Sequence, residues 1–354
     1  MGSTENPQIT PRRRHTRRVG LAVSLIVTSA LVVFALSRLN LHRVGHALIT
    51  ATPGWIALAF VLMACSLVLR SISWHQTLCA ALPENPISRP SVIRATMIGV
   101  MASAVFPGRI GEPSRVLVLT RRLEGPNRRL LPIVAGTVFS QTLINLLALA
   151  ILAAITFTSV PLFHGHASGI LTALTVPLVI CALVLLGPRL LALAQRSRSQ
   201  RIARAANTVE RALRLARRGL IVFTRPRYGA GAVTSQLAAW ALQWLACYMV
   251  LLSLGLQSQA GLVSAAAILL AVNVSAILPA TPSNVGVFQA ACLVVLAAYG
   301  VGAGPGLAYG IILQGVEVLT ALALGIPALL GENLSWSDIR AERDVIESSA
   351  GEGP

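Results

Sequence analysis

Residues 131–163, LPIVAGTVFSQTLINLLALAILAAITFTSVPLF, contain no charged side chain, and neither do residues 19–37 or 169–187. At 1.5 Å of rise per residue, a helix over any of these runs crosses roughly 30 Å of hydrocarbon. Inside lipid every backbone N–H and C=O must find its partner within the protein, so such runs dictate helices. Composition agrees. The chain is 12% charged with a mean hydropathy of +0.73, against about 25% charged residues in soluble domains. The expected fold class is an all-α polytopic integral membrane protein.

All 29 basic residues are arginine, and the formal charge is +17. A nucleic-acid binder needs a continuous cationic face on a soluble fold. Here the arginines fall between apolar runs, where they mark the cytoplasmic side, so no nucleic-acid partner is expected. Cys65, Cys79, Cys181, Cys247 and Cys292 sit in or beside apolar segments without metal-type spacing. His164 and His166 share one loop without acidic or cysteine companions. Neither set makes a metal site, and no cofactor is expected.

Five arginines precede residues 19–37. They resemble a signal-peptide leader, but the apolar run is long for one and ends at Ser37-Arg38 without a small-residue cleavage site. Residues 19–37 are therefore read as a retained first span leaving the cytoplasm. A second span starts near Gly54 and returns, with Arg70 snorkelling to the cytoplasmic headgroups beside Trp74. Residues 91–106 and 116–120 are too short to cross and flank FPGRIGEP, so they read as a re-entrant hairpin. Further spans are expected at about 131–156, 169–190, 230–254 and 303–329. Residues 261–278 and 287–300 form a second broken hairpin around PATPSNVG. Eleven arginines and the single acid Glu210 lie between 189 and 227, the pattern of an amphipathic helix on the inner leaflet. The expectation is about six full spans and two hairpins. A basic tail, 1–18, precedes a membrane domain, 19–330, and an acidic tail, 331–354, follows it, with both termini cytoplasmic.

Both breaks read Pro-x-x-(Ile/Val)-Gly. Pro107 and Pro282 are 175 residues apart, as are Gly111 and Gly286. The flanks keep that offset, and the predicted orientations are opposite, so residues 54–156 and 230–329 read as an inverted repeat. Such repeats meet near the bilayer midplane, where broken helices turn backbone dipoles toward a ligand. The helix-breaking positions are Pro107, Gly108, Gly111, Pro279, Pro282 and Gly286.

Around the first break stand Arg109, Glu112 and Arg115. They read either as an anionic-headgroup site, with Glu112 orienting an arginine, or as an internal ion-pair network. Glu317, inside the last span, needs a partner across helices, with Arg70 or Arg109 as candidates. Gln141, Asn145, Asn284 and Gln289 add hydrogen-bonding groups, as do Gln236, Gln243, Asn273 and Gln314. Helix–helix bonding is the first expectation for such amides. Trp240, Trp244 and Tyr248 share one helix face and read as packing.

FPGRIGEPSRVLVLTRR and LPATPSNVGVFQAACLVVL resemble paired motifs of the bacterial lysylphosphatidylglycerol synthase transmembrane-region family, which is flippase-like. The likeness runs over roughly residues 18–330. Gly108, Arg109, Gly111, Glu112 and Arg115 carry the first motif. The second departs from a Pro-Gly-x-(Ile/Leu)-Gly-x-x-Glu pattern at Ser283 and Gln289, so no role resting on that glutamate transfers. The resemblance implies a stand-alone membrane module without the soluble transferase domain of the full synthases.

The leading expectation is translocation of an anionic or aminoacylated phospholipid, or a polyprenyl-linked lipid, across the bacterial cytoplasmic membrane. Membrane lipids with an anionic headgroup are then the partners. A small-solute secondary transporter and a non-transporting partner of an envelope-lipid biosynthetic enzyme are the alternatives. No nucleophile or paired-acid constellation points to an enzyme.

Overall fold

The computed structural model describes residues 49–105, 111–123, 127–159, 221–276 and 284–331. Among them are nine helices in chain order: α1 (Pro53–Ala81), α2 (Arg89–Val105), α3 (Gly111–Thr120), α4 (Asn127–Ser159), α5 (Ile221–Thr224), α6 (Pro226–Ser253), α7 (Leu262–Ser275), α8 (Val287–Ala298) and α9 (Ala303–Leu330). Four of them, α1, α4, α6 and α9, are long and apolar enough to cross a membrane. The chain is an all-α multi-pass membrane protein. The spans expected at 19–37 and 169–190, both tails from 1–18 and 332–354, and the amphipathic segment up to residue 220 lie outside the described residues. So do Pro107, Gly108, Arg109, Pro279 and Pro282.

The two expected hairpins are helical on both arms. α2 and α3, with 17 and 10 residues, and α7 and α8, with 14 and 12, each measure under roughly 26 Å at 1.5 Å per residue. The arm after the first break begins at Gly111, five residues before the apolar stretch that predicts it, because Glu112 and Arg115 continue the helix without being apolar.

The two halves have the same order of elements and run in opposite directions. Thr52 N donates to Ser253 O at 2.8 Å, Ser66 Oγ to Ala239 O at 2.8 Å, and Ser73 Oγ to Ala232 O at 2.8 Å. As the α1 residue advances, its α6 partner retreats, so the pair is antiparallel. Exchanging α1–α4 with α6–α9 maps the packed helix pairs onto one another. The α2–α9 packing answers α7–α4, α2–α3 answers α7–α8, α3–α4 answers α8–α9, and α1–α9 answers α6–α4. Ser66 and Ala239, 173 residues apart and in contact, stand at the same position in their two halves. The pseudo-twofold axis therefore passes between α1 and α6, across the helices.

Two apolar clusters divide the bundle. One gathers around α2 and α3 with Leu67, Trp74, Leu78, Met101, Val134 and Leu329. The other gathers around α7 and α8 with Met63, Leu152, Val250, Leu296 and Leu313. The end of the first cluster carries exposed Arg89, Arg94, Arg121, Arg122, Arg225 and Arg227. Among the described residues the opposite end, at 49–56, 254–262 and 298–303, has no charged residue.

Glycine sets the closeness of the first hairpin. A Cβ on Gly99 would lie 2.6 Å from the Gly111 carbonyl oxygen, and one on Gly111 would overlap that of Gly99. Such backbone overlap forces the arms apart. We expect Gly111→Ala to lower stability by about 1–3 kcal/mol, the usual range for overpacking. Gly315→Ala, whose Cβ meets nothing within 4 Å, should leave it intact. Thermal unfolding of the two variants in detergent checks both.

Candidate functional site

The midpoints of the four long helices fall close to residues 67, 143, 239 and 316. At those levels the sequence turns polar: Ser66 and Arg70 on α1, Gln141 and Asn145 on α4, Gln236 and Gln243 on α6, and Gln314 and Glu317 on α9. This polar layer lies between the two apolar clusters and surrounds a cavity of about 560 Å³. Arg70, Arg115, Gln141, Asn145, Gln243, Asn273, Gln314 and Glu317 line it. The first hairpin brings Ser103, Gly111 and Glu112 to its wall; the second brings Ala276, Asn284 and Phe288. The hairpins enter from opposite ends of the bundle, and their inner ends reach one cavity. Both α3 and α8 begin beside it.

Each arginine has its own socket. Arg70 Nη2 donates to Gln243 Oε1 at 2.7 Å, with the guanidinium 5.7 Å above the Trp240 ring. Arg115 Nη1 donates to Gln141 Oε1 at 2.8 Å and lies 4.9 Å above the ring of fully buried Trp74. Placing an arginine at the bilayer centre costs about 2.5–3.5 kcal/mol on insertion scales. A charge-assisted hydrogen bond of about 1.5–3 kcal/mol and a desolvated cation–π contact of about 2 kcal/mol offset that. The sockets stay incomplete, since Nε of both arginines is buried with no hydrogen-bond partner.

The amides bind the frame together. Gln141 Nε2 donates to the Arg70 carbonyl at 3.0 Å, and Gln236 Nε2 to Asn145 Oδ1 at 2.5 Å. The same oxygen accepts from Trp240 Nε1 at 3.1 Å. Of the two candidate partners of Glu317, Arg70 lines the same cavity. Glu112 Oε1 lies 3.8 Å from Arg115 Nη2, with the glutamate 60% exposed and the arginine 12%.

At the second break Asn284 takes φ of +54° and Gly286 +89°, the left-handed turn that starts α8. Gly286 N donates to Gln289 Oε1 at 2.7 Å, and Gln289 Nε2 donates to Gln314 Oε1. Gln289 therefore secures the turn and reaches the cavity through Gln314, without lining it.

Of the residues proposed from sequence, Glu112, Arg115, Gln141, Asn145, Asn284 and Glu317 come together around one cavity. Arg109 falls outside the described residues. Two readings are corrected. Arg70 does not snorkel to the interface. α1 continues through Trp74 and His75 to Ala81, which leaves Arg70 eleven residues short of the helix end, roughly 16 Å of helix. Trp240 is more than packing, since it supports Arg70 and donates to Asn145.

The model of the lysylphosphatidylglycerol synthase TM region matches residues 19–325. The chain belongs to that family. Membership gives this lysylphosphatidylglycerol synthase TM-region protein a lipid-related role in the membrane. No curated protein matches the chain. Both hairpins and all the cavity's described walls fall inside the matched region, so the site is part of the family domain.

Asn145 is the acceptor on which two donors from α6 converge. Asn145→Leu should leave Gln236 and Trp240 without it and destabilise the protein by about 1–3 kcal/mol. Thermal unfolding in detergent, with hydrogen exchange in α4 and α6, measures the loss.

Proposed function

We propose that this protein carries a phosphate-bearing lipid between leaflets, with its headgroup in the central cavity and its chains in hydrocarbon. The observation that supports this most directly is the meeting of two hairpins from opposite ends on one cavity that contains Arg70 and Arg115. A headgroup phosphate forced through bare lipid would meet a large desolvation cost. Here it exchanges water for the guanidinium groups of Arg70 and Arg115, which line the cavity, and for the N-terminal ends of α3 and α8.

The step is physical displacement without covalent chemistry. A phospholipid or a polyprenyl-linked phosphate has the required group. The end bearing Arg89, Arg94, Arg121, Arg122, Arg225 and Arg227 faces the cytoplasm on this reading, in the inner membrane of a bacterium, with both termini on that side.

The test is reconstitution in vesicles with fluorescent phospholipid or polyprenyl phosphate in one leaflet. The expected result is protein-dependent equilibration of at least one lipid, slowed at least roughly tenfold by Arg115→Ala in protein that keeps its thermal unfolding profile. Arg115→Lys should recover only part of the rate, because a point charge cannot replace the planar fork stacked on Trp74. Uptake of small solutes that lipid does not inhibit would favour a solute transporter. Absence of movement for every lipid would leave the partner role.

A further inference from the structure

The two hairpins are built alike and charged differently. From Tyr228 to Val316 the sequence has no aspartate, glutamate, lysine, arginine or histidine. That stretch holds most of α6 and the whole of the second hairpin, its break included. The first hairpin carries Arg109 at its break and Glu112 and Arg115 on its outgoing arm.

Each outgoing arm is nonetheless held in the same way to the long helix that follows it. Arg115 stands four residues beyond Gly111 on α3, and Gln289 three residues beyond Gly286 on α8. Arg115 Nη1 donates to Gln141 Oε1 at 2.8 Å, and Gln289 Nε2 donates to Gln314 Oε1. Gln141 and Gln314 lie 173 residues apart, the offset of Ser66 and Ala239, so they are one position in the two halves. Backbone groups settle which way the amides face. Gln141 Nε2 is committed to the Arg70 carbonyl at 3.0 Å, which turns its oxygen to Arg115. Gln289 Oε1 accepts from Gly286 N at 2.7 Å, which turns its nitrogen to Gln314.

Equivalent places in the scaffold therefore carry unlike bonds. The first fixes a guanidinium that lines the cavity, and through Gln141 it ties that group to the backbone of Arg70, which bears the other. The second joins two neutral amides, one of which, Gln289, stands behind the cavity wall. Lifting α3 from α4 takes an acceptor from a guanidinium at mid-depth. Lifting α8 from α9 parts two amides, with roughly half the bond strength to overcome.

Resting on the translocation reading, we infer that the hairpins divide the work: the first recognises the headgroup phosphate through Arg115, which Gln141 positions, and the second is an uncharged gate seated by Gln289 on Gln314. Gln141 acts on the phosphate only by holding the guanidinium fork in place. A gate without charge parts and reseats as the headgroup passes, and does not trap the phosphate in an ion pair of its own.

Binding and movement read the two roles separately, on the full-length chain. In detergent, farnesyl phosphate and short-chain phosphatidylglycerol are titrated by calorimetry, and hydrogen exchange is followed in α3 and α8. In vesicles, movement of labelled phosphatidylglycerol and polyprenyl phosphate is followed at rising lipid fraction. Gln141→Leu should weaken binding of the better-bound probe roughly tenfold and raise the lipid fraction at half-maximal rate. Added to Arg115→Ala it should weaken binding no further, because it acts through that arginine. Gln289→Met should leave binding unchanged, speed exchange in α8 but not α3, and raise the maximal rate roughly threefold. Where either change unfolds the chain, asparagine at that position, one methylene shorter, replaces it with the same expectation. Equal losses of binding in the two variants, or a further loss on top of Arg115→Ala, would overturn the division of labour. Unchanged α8 exchange and an unchanged rate in Gln289→Met would overturn the gate. Lipid movement with binding absent or indifferent to Gln141 would keep translocation and overturn recognition by the first hairpin. The expected binding pattern without any lipid movement would keep that recognition and overturn translocation. Neither binding nor movement would overturn both.

Discussion

Two guanidinium groups at mid-depth in a bundle of apolar helices constrain everything around them. An arginine there must be hydrated, paired or stacked, and Arg70 and Arg115 use each device in part. One glutamine oxygen and one tryptophan face serve each of them. Those partners sit on other helices, so satisfying the arginines fixes α1 against α6 through Gln243 and Trp240, and α3 against α4 and α1 through Gln141 and Trp74. The apolar clusters on either side supply the burial that holds the bundle together, but apolar contact is permissive about rotation and depth. The polar layer is what selects one register. Gln236 and Trp240 converging on a single Asn145 oxygen allow little axial sliding between α4 and α6.

The antiparallel repeat gives that layer its position. Two copies of a four-helix unit related by an axis in the membrane plane bring their helix midpoints to the same depth, and residues near those midpoints become neighbours across the axis. Ser66 with Ala239 and Arg70 with Gln243 are such pairs, each separated by 173 residues. The symmetry belongs to the backbone and stops short of chemistry. The first hairpin brings Glu112 and Arg115 to the cavity. The second brings Asn284 and Phe288, with Gln289 behind them. The ionisable groups of the hairpins thus come from one half, and the other answers with amides and backbone.

Much of this was legible in the chain. Repeated Pro-x-x-(Ile/Val)-Gly at a constant offset located both breaks, apolar runs gave the four described spans, and intramembrane cost singled out Glu112, Arg115, Glu317 and the amides of α4. Arg70 escaped because depth depends on where a helix ends. The sequence after Arg70 passes through Trp74 and His75, an interfacial pattern, and only the continuation to Ala81 shows the arginine to be central. Trp240 escaped for a different reason. Its neighbours in sequence are tryptophan, tyrosine and small apolar residues, while its partners are Arg70 and Asn145, 170 and 95 residues away. Periodicity identifies the face of a helix, and nothing local in sequence identifies what stands opposite that face.

The placement of the two arginines also bears on how a bound headgroup acts on the fold. Arg70 belongs to α1, part of the antiparallel pair fastened by Ser66 and Ser73 to α6 carbonyls. Arg115 belongs to α3, a short arm of a hairpin. The hairpin meets its neighbours partly through glycines, Gly99 against Gly111 within it and Gly325 of α9 against Met101 of α2. Such contacts interlock less than branched side chains do. A phosphate shared by the arginines therefore ties the fastened pair to the more lightly held arm, and its departure removes that tie. On the proposed reading, occupancy of the cavity and the seating of the first hairpin are two aspects of one equilibrium. By linkage, a ligand can bias that equilibrium only as far as it binds one seating more tightly than another. The hairpin-borne Arg115–Glu112 couple is where such a difference arises, because it is the charged couple carried wholly by the arm.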